Sequence, residues 1–318
     1  MGGGVRGAVR SPASRCPLTV SAPTPITVAI STRDRPGALD RCLESLAAGA
    51  RRPDEIVVVD QSNGQESSRV AARWRDAGLT IQYEPHEARG LGAAQNVAFA
   101  RARHPIVAVL DDDCVADTSW LHVVASRLGG RVDLDGVTGR VLPLDAVGPR
   151  TFPVSSRVSP VRREFSGRAL PWEVGSGNNF AVRRDALTRV GGCDERLGPG
   201  SPTQGGVDMD LFHRLLRGGS RILYEPDAIV YHERQTREER RARRPMYGRG
   251  MGAAIALWHR EGDSSSAYVL REWAKLRLRQ MRLAVTRRDW ADVRDEVTML
   301  VSTARGLSQG WKLANGTR

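Results

Sequence analysis

The 318-residue sequence has no run of eighteen or more apolar residues, so no membrane-spanning helix is expected. It has only four cysteines, Cys16, Cys42, Cys114 and Cys193, far apart and without a CxxC pair. That spacing argues against a zinc site or a disulfide framework and for a reducing cytoplasm. The first 25 residues carry Arg6, Arg10 and Arg15 but no acid, and lack the continuous apolar stretch of a signal peptide. They read as a disordered lead-in. No internal repeat is evident.

Positive charge is abundant. The net charge is +12, and from Glu233 to Arg318 there are 19 basic and 10 acidic residues. The tail therefore carries most of the excess, which suits an anionic membrane surface, nucleic acid or phosphate-bearing ligands without choosing between them.

From Pro25 onward apolar runs alternate with helical spacing. "ITVAIST" (26–32), "DEIVVVD" (54–60), "LTIQYE" (79–84) and "PIVAVLD" (105–111) read as strands, and helices are expected between them. Strand then helix, repeated, with runs of Val and Ile, predicts a parallel sheet covered on both faces. Residues 131–175 read as mixed strand and loop. "NNFAVRRDALTRVGG" reads as a strand leading into a short helix. A Gly/Pro loop at 197–206 follows, expected to act as a flap, then the helix "VDMDLFHRLLRGG" and two short strands, "RILYE" and "AIVYH". Beyond Arg237 the pattern is helical, basic and amphipathic. Leu270, Trp273, Leu276, Met281 and Val285 fall roughly on one face, for which a membrane surface and the catalytic domain are equally good partners.

The strand "IVAVL" ends in Asp111, Asp112 and Asp113. Alternation along a strand puts Asp111 and Asp113 on one side and Asp112 on the other. At about 5 Å and an effective dielectric of about 20, each like-charge pair costs on the order of 3 kcal/mol. A divalent ion with carboxylate ligands, Mg²⁺ or Mn²⁺, would relieve this, and substrate phosphates often complete its shell. The cluster lies at the carboxyl end of a strand, where open α/β sheets bind ligands. Asp60 and "STRDRP" (31–36) close two further strands at the same edge, so a nucleotide site is plausible there. Each piece alone is weak, since an Asp after a strand is more often a turn former.

In order and spacing, these segments, together with "RGLGAAQNVAFARA", "GSGNNFAVRRDAL", "VGGCDERLG", "GGVDMDLFHRLLRGG" and "AIVYH", resemble the family-2 glycosyltransferases over about Ile26 to His232. The resemblance implies an α/β fold of GT-A type, with a Rossmann-like, mostly parallel central sheet flanked by helices and a C-terminal helical extension. It implies three regions: 1–24 disordered, 25–235 the GT-A domain and 236–318 the extension.

The implied activity is metal-dependent, inverting sugar transfer from a nucleoside diphosphate-sugar to an acceptor hydroxyl. The acceptor would be a cell-surface glycan, a lipid-linked saccharide or a secondary metabolite. The resemblance makes Asp208 the catalytic base and assigns Asp113, His232 and Asp111 to Mn²⁺ or Mg²⁺. It assigns Thr32, Arg33, Asp34, Asp60, Arg89, Gly90, Asp111, Asp112, Gly177 and Asn178 to the sugar nucleotide. A base needs a raised pKa, for which Asp210 and a dry site are candidate causes; Asp210 and Arg214, four apart on a helix, are expected to pair.

Several positions depart from the family pattern: Ser31 for Pro, Gln61 for Asp or Asn, Gln95 for Arg, and Val207 for the Glu before the base. With Gln95 in place, Arg89 is expected to supply a phosphate contact. Val207 keeps a non-catalytic sugar-nucleotide binder as an alternative. A basic nucleic-acid-binding protein would explain the tail but not acids gathered at strand ends, so no nucleic-acid partner is expected. A nucleotidylyltransferase would need a Gly-rich phosphate loop, which "STRDRPGAL" is not. The expected location is the cytoplasm, with peripheral contact on the inner face of the cell membrane through the C-terminal helices.

Overall fold

A computed structural model describes residues 24–315, except 88, 145–150 and 153–156. The expected disordered lead-in, all but Thr24, lies outside the described residues, as does Cys16. The chain runs β1 (Ile26–Thr32), α1 (Pro36–Ala47), β2 (Glu55–Asp60), α2 (Glu66–Asp76), β3 (Ile81–Pro85), α3 (Leu91–Arg101), β4 (Ile106–Leu110), β5 (Cys114–Ala116), α4 (Trp120–Gly130) and β6 (Gly136–Pro143). Then come β7 (Thr151–Phe152), β8 (Arg163–Phe165), α5 (Pro171–Val174), β9 (Asn179–Arg183), α6 (Arg184–Arg189), α7 (Val207–Arg217), β10 (Ile222–His232) and β11 (Gln235–Thr236). Three long helices finish it: α8 (Arg237–Arg260), α9 (Ser266–Thr286) and α10 (Trp290–Asn315).

The Val- and Ile-rich runs form strands because both of their faces are covered. All six residues of β2 and all five of β4 are buried. Alternate residues feed two cores: Val57 and Val59 pack with α3, α7 and α8, while Ile56 and Val58 pack with α1, α2 and α4. The main sheet has the order β3-β2-β1-β4-β9-β6-β10-β5. Strands β3, β2, β1 and β4 are parallel, as the repeated strand–helix pattern predicts. Strand β9 is inserted antiparallel between β4 and β6, and β5 runs antiparallel to β10.

These pairings gather distant segments at one edge. Thr32 stands beside Asp60, Leu110 beside Asn179, and His232 beside Cys114. The two short strands expected near 222–232 are one eleven-residue strand, with a register shift between Glu225 and Ile229. Pro226 lies in that shift, where a residue without an N–H does least harm to the ladder.

Residues 236–315 are not a surface appendage. The capping box of Thr236 and Glu239 starts α8, and Gly248 to Trp258 pack almost entirely out of solvent. Glycines bring α10 against it: a Cβ on Gly252 would lie 2.1 Å from the Thr303 carbonyl oxygen, and one on Gly306 2.1 Å from that of Arg249. On its other side, a Cβ on Gly250 would meet Gly205 at 2.2 Å. These contacts hold the loop 197–206, the expected flap, against α8 and α10. Ser201 and Thr203 are buried within it, and Gln309 of α10 donates to the Pro202 carbonyl at 2.7 Å. Of the expected apolar face on α9, Trp273 is buried and Leu270 and Leu276 pack on the core, but Val285 is exposed. No helix among the described residues is long and apolar enough to cross a membrane.

Candidate active site

A cavity of about 630 Å³ opens at the carboxyl ends of β1 and β4. Its walls include Thr32, Arg33, Gly90, Asp111, Asp112, Asp113, Gly177, Asn178, Asp208 and His232 from the residues singled out in the sequence. Asp34, Asp60 and Arg89 are not in that wall. Asp34, at φ 55°, donates its N–H to Ser62 Oγ at 2.7 Å. Asp60 is buried, accepting from Ser62 and from the Tyr83 hydroxyl. Arg89 is exposed and pairs with Glu87 at 3.1 Å.

The three acids form a turn rather than an extension of β4. The strand stops at Leu110, and the Cys114 N–H closes the turn on the Asp111 carbonyl at 3.1 Å. Asp112 is held inward: its carboxylate accepts from Thr32 Oγ1 at 2.7 Å and from Arg35 Nη1 at 3.3 Å. The same Arg35 nitrogen reaches Asp113 Oδ2 at 3.0 Å. Asp113 Oδ1 faces His232 Nε2 at 3.2 Å. The His232 Nδ1 donates to the Glu233 carbonyl at 2.8 Å, which leaves Nε2 as the nitrogen turned to the carboxylate.

Electrostatics follow this wiring. Burial pushes the Asp112 carboxyl up to about 6, with Asp113 adding and Thr32 and Arg35 opposing. Burial also drives Asp111 well above the carboxylate range, and Asp113 and Asp112 reinforce it. Asp113 is buried too, but its bond to His232 and the nearby cations outweigh that and hold it low. Burial opposes charge on His232, while Asp113 and the Glu233 carbonyl outweigh it and raise the imidazole.

The residues present fit a divalent ion. The possible ligand atoms of Asp113, His232 and the buried Cys114 all lie within 4.8 Å of one another. Beside them Asn178 Oδ1 is buried without a hydrogen-bond partner. Burial raises the Cys114 thiol well above its usual range, which makes Asp113 and His232 the better donors.

Asp208 lines the same cavity from the first turn of α7, where the helix dipole favours a negative charge. Gly206 caps that helix at φ 90°, against Gly250 of α8. Burial raises Asp208 above the usual carboxylate range, opposed by main-chain N–H groups including those of Met209 and Gly177. A Cβ on Gly177 would come within 2.9 Å of the Asp208 Cβ, so the "GSGNN" segment lies directly on this carboxylate. Asp210 plays no part in raising it. It pairs with Arg214 at 2.6 Å, as the four-residue spacing predicts, and accepts from Trp258 Nε1 at 2.7 Å. Val207 is buried in the apolar cluster beneath the loop, against Gly198.

Sequence reasoning missed Arg35, Trp172, Arg243, Met246 and Tyr247 in the wall. The last three come from α8, and nothing in their local sequence separates them from the other residues of an arginine-rich helix.

An open α/β sheet with an acid turn, a histidine and a partly buried carboxylate around one cavity at its strand ends is an architecture of GT-A type. The model of glycosyl transferase family 2 matches residues 27–191, and the chain belongs to that family. It is 28% identical over 249 residues to a pre-mycofactocin glycosyltransferase of Mycobacterium tuberculosis, covering 74% of this chain and 48% of that protein. It is 25% identical over 214 residues to a glucosyl-dolichyl phosphate glucuronosyltransferase of Haloferax volcanii, covering 65% of this chain and 68% of that one. The chain thus spans about half the length of the first of these curated relatives. Among solved structures, a mannosyltransferase of Pyrobaculum calidifontis in complex with GDP-Man and Mn²⁺ has a TM-score of 0.62 at 17% identity, covering 90% of this chain and 88% of that one. Residues 1–349 of S. aureus TarS in complex with UDP-GlcNAc give 0.62 at 15%, covering 89% and 81%.

Proposed function

We propose that the chain is a metal-dependent, inverting glycosyltransferase that takes a sugar from a nucleoside diphosphate-sugar and passes it to an acceptor hydroxyl. The observation that carries this reading is that the Asp113–His232 pair and the partly buried Asp208 line one cavity. Asp113 and His232 would hold Mn²⁺ or Mg²⁺, the imidazole favouring Mn²⁺ of the two. When bound, the ion supplies charge that offsets the leaving diphosphate. The fold neighbours recorded with GDP-Man or UDP-GlcNAc support a donor of this class.

The protein's own groups do the rest. Thr32 and Arg33 at the end of β1 and Gly90 at the start of α3 face the nucleotide side. Arg243 lies close enough to Asp113 to lower its pKa and faces the same space, where it adds positive charge for the diphosphate. Trp172 and Tyr247 offer flat apolar walls for a pyranose. Asp208 takes the proton from the acceptor hydroxyl as that oxygen attacks the anomeric carbon from the face opposite the diphosphate, which inverts the centre. Asp34, Asp60 and Arg89 act at one remove, by fixing the loops around the nucleotide side. Val207 serves packing, so its departure from Glu leaves the base in place.

The test is calorimetric titration with UDP and GDP, with Mn²⁺ and with chelator. One of the two should bind only with the ion, and Asp113→Asn should weaken that ion-dependent binding. Equal binding of the nucleotide in chelator and in Mn²⁺ would remove the ion from the reading.

A further inference from the structure

We infer that the outer face of the α9–α10 hairpin, with the first turns of α8, is a docking surface for an anionic lipid bilayer. The apolar face legible in the sequence of α9 is largely spent on the core. Val285 of that face is left outside, together with further apolar residues of α9 and α10. Leu278 and Val285 of α9 are 43% and 45% exposed, and Trp290, Val297 and Val301 of α10 are 68%, 45% and 45% exposed. Their spacings, seven on α9 and seven then four on α10, put each set on one outward helical face.

The charges of the hairpin are partly sorted by side, with Asp289 at the turn and Glu238 and Glu239 in the first turn of α8 exposed among the basic residues. The acids of α10 point inward: Asp292 pairs with Arg240 at 3.5 Å, Asp295 with Arg244 at 3.8 Å, and Glu296 with Arg244 and with Arg277, the latter at 3.3 Å. Arg241, Arg279, Arg282, Arg287, Arg288 and Arg294 are exposed and have no carboxylate partner among the described residues. Arg282 falls between Leu278 and Val285, and Arg294 between Trp290 and Val297. An apolar stripe with arginines set into it and an indole at the turn is the composition of a surface that sinks to the headgroup level of an anionic leaflet. A solvated helix face has no use for a Trp at that exposure. Nucleic acid would engage the arginines but leave the aliphatic stripe in water. A second copy would set unpaired arginines against their own kind.

Position adds to the case. Arg240–Asp292 and the close approach of Gly248 to the Met299 carbonyl lay the start of α10 along the half of α8 that gives Arg243, Met246 and Tyr247 to the cavity. The surface is therefore about one helix diameter, roughly 10 Å, from the cavity wall. An acceptor hydroxyl carried on a lipid would be presented within reach of Asp208. That consequence rests on the proposed transfer reaction, whereas the docking surface does not.

The experiment is co-sedimentation of the full chain with vesicles of phosphatidylcholine, with and without phosphatidylglycerol, at physiological salt. Binding should require phosphatidylglycerol and weaken as salt rises. Each arginine removed should weaken it about fivefold, so R282S/R294S should bind roughly 25-fold more weakly, and W290S should also bind more weakly. Both variants should keep the parent's melting temperature and its nucleotide binding with Mn²⁺, which separates a lost surface from a lost fold or a lost active site. Equal sedimentation with pure phosphatidylcholine, or parental binding by R282S/R294S, overturns the inference. So does retention of duplex DNA without vesicle binding, or a dimer in light scattering that W290S dissolves.

Discussion

Replacing Asp208 by Asn tests the assignment of the base with almost no change of shape. The amide keeps the volume beside Gly177 and the first-turn position on α7 but cannot accept a proton from the acceptor. General-base catalysis is worth about 10²–10⁴-fold, so kcat should fall by about a thousandfold, some 4 kcal/mol of barrier. The Kd of the nucleotide with Mn²⁺ should not move. Stability should move in the opposite direction to activity. Burial raises the Asp208 pKa in the fold above its value in the unfolded chain. Such a group contributes most to stability below the unfolded pKa and loses that contribution as pH rises through the folded one. At neutral pH the parent therefore carries a desolvated charge that Asp208→Asn lacks, and the variant should melt at or above the parent's temperature. The gap should close as pH falls toward 4. In the parent, kcat should lose its base form on the acid side at a pH above the ordinary carboxylate value. The assays are donor turnover with saturating acceptor and melting curves across pH. If Asp208→Asn turns over within about tenfold of the parent, Asp208 is not the base, and a melting temperature well below the parent's at neutral pH would refute the electrostatic argument.

Asp113→Asn and His232→Gln should each weaken Mn²⁺-dependent nucleotide binding by about 10–100-fold, as read by calorimetry, with little effect on folding. Asp210→Ala should cost about 3–5 kcal/mol, because Arg214 and the Trp258 indole N–H lose their shared buried acceptor; denaturant titration measures it. Gly306→Ala should cost about 1–3 kcal/mol by forcing α10 away from the Arg249 carbonyl. Arg35→Met should tighten Mn²⁺ binding by roughly tenfold or less, since it removes a half-exposed cation 3.0 Å from Asp113. Weaker Mn²⁺ binding in that variant would mean that Arg35 is needed to hold the turn.

What could be read in the sequence was whatever local pattern determines. Strands β1, β2 and β4 are apolar because both sheet faces are covered, and that signal survives without any knowledge of neighbours. The acids at their ends stand out because charge after a buried run is expensive. Strand β9 reads as a strand, but its direction depends on which two strands it enters between, and no short window contains that. Pro226 reads as a break, and only the register shift shows that β10 continues through it. The glycines at 248, 250, 252, 306 and 310 look like ordinary helix weakeners until α8 and α10 are laid together. For the same reason Arg243 and Tyr247 could not be picked out. Their place in the cavity wall is fixed by the contact of Gly250 with Gly205, a pairing of backbone with backbone that carries no side-chain signature.

The question raised by three adjacent acids has a more specific answer than simple neutralisation by an ion. The protein already divides the work. Asp112 is a structural carboxylate, satisfied by Thr32 and Arg35. Asp111 is pushed toward its protonated form by burial and by its neighbours. Asp113 alone keeps a low pKa, and its two oxygens have different partners, Oδ2 with Arg35 and Oδ1 with His232. Asp113 and His232 would hold an ion on the side of the turn away from the Arg35 contact, and Arg35 would remain a countercharge for the turn. A cluster relying on the ion alone would bind it tightly and unfold without it. Arg35 thus supplies part of the turn's countercharge from within the chain, so an ion held there would share that role rather than carry it alone.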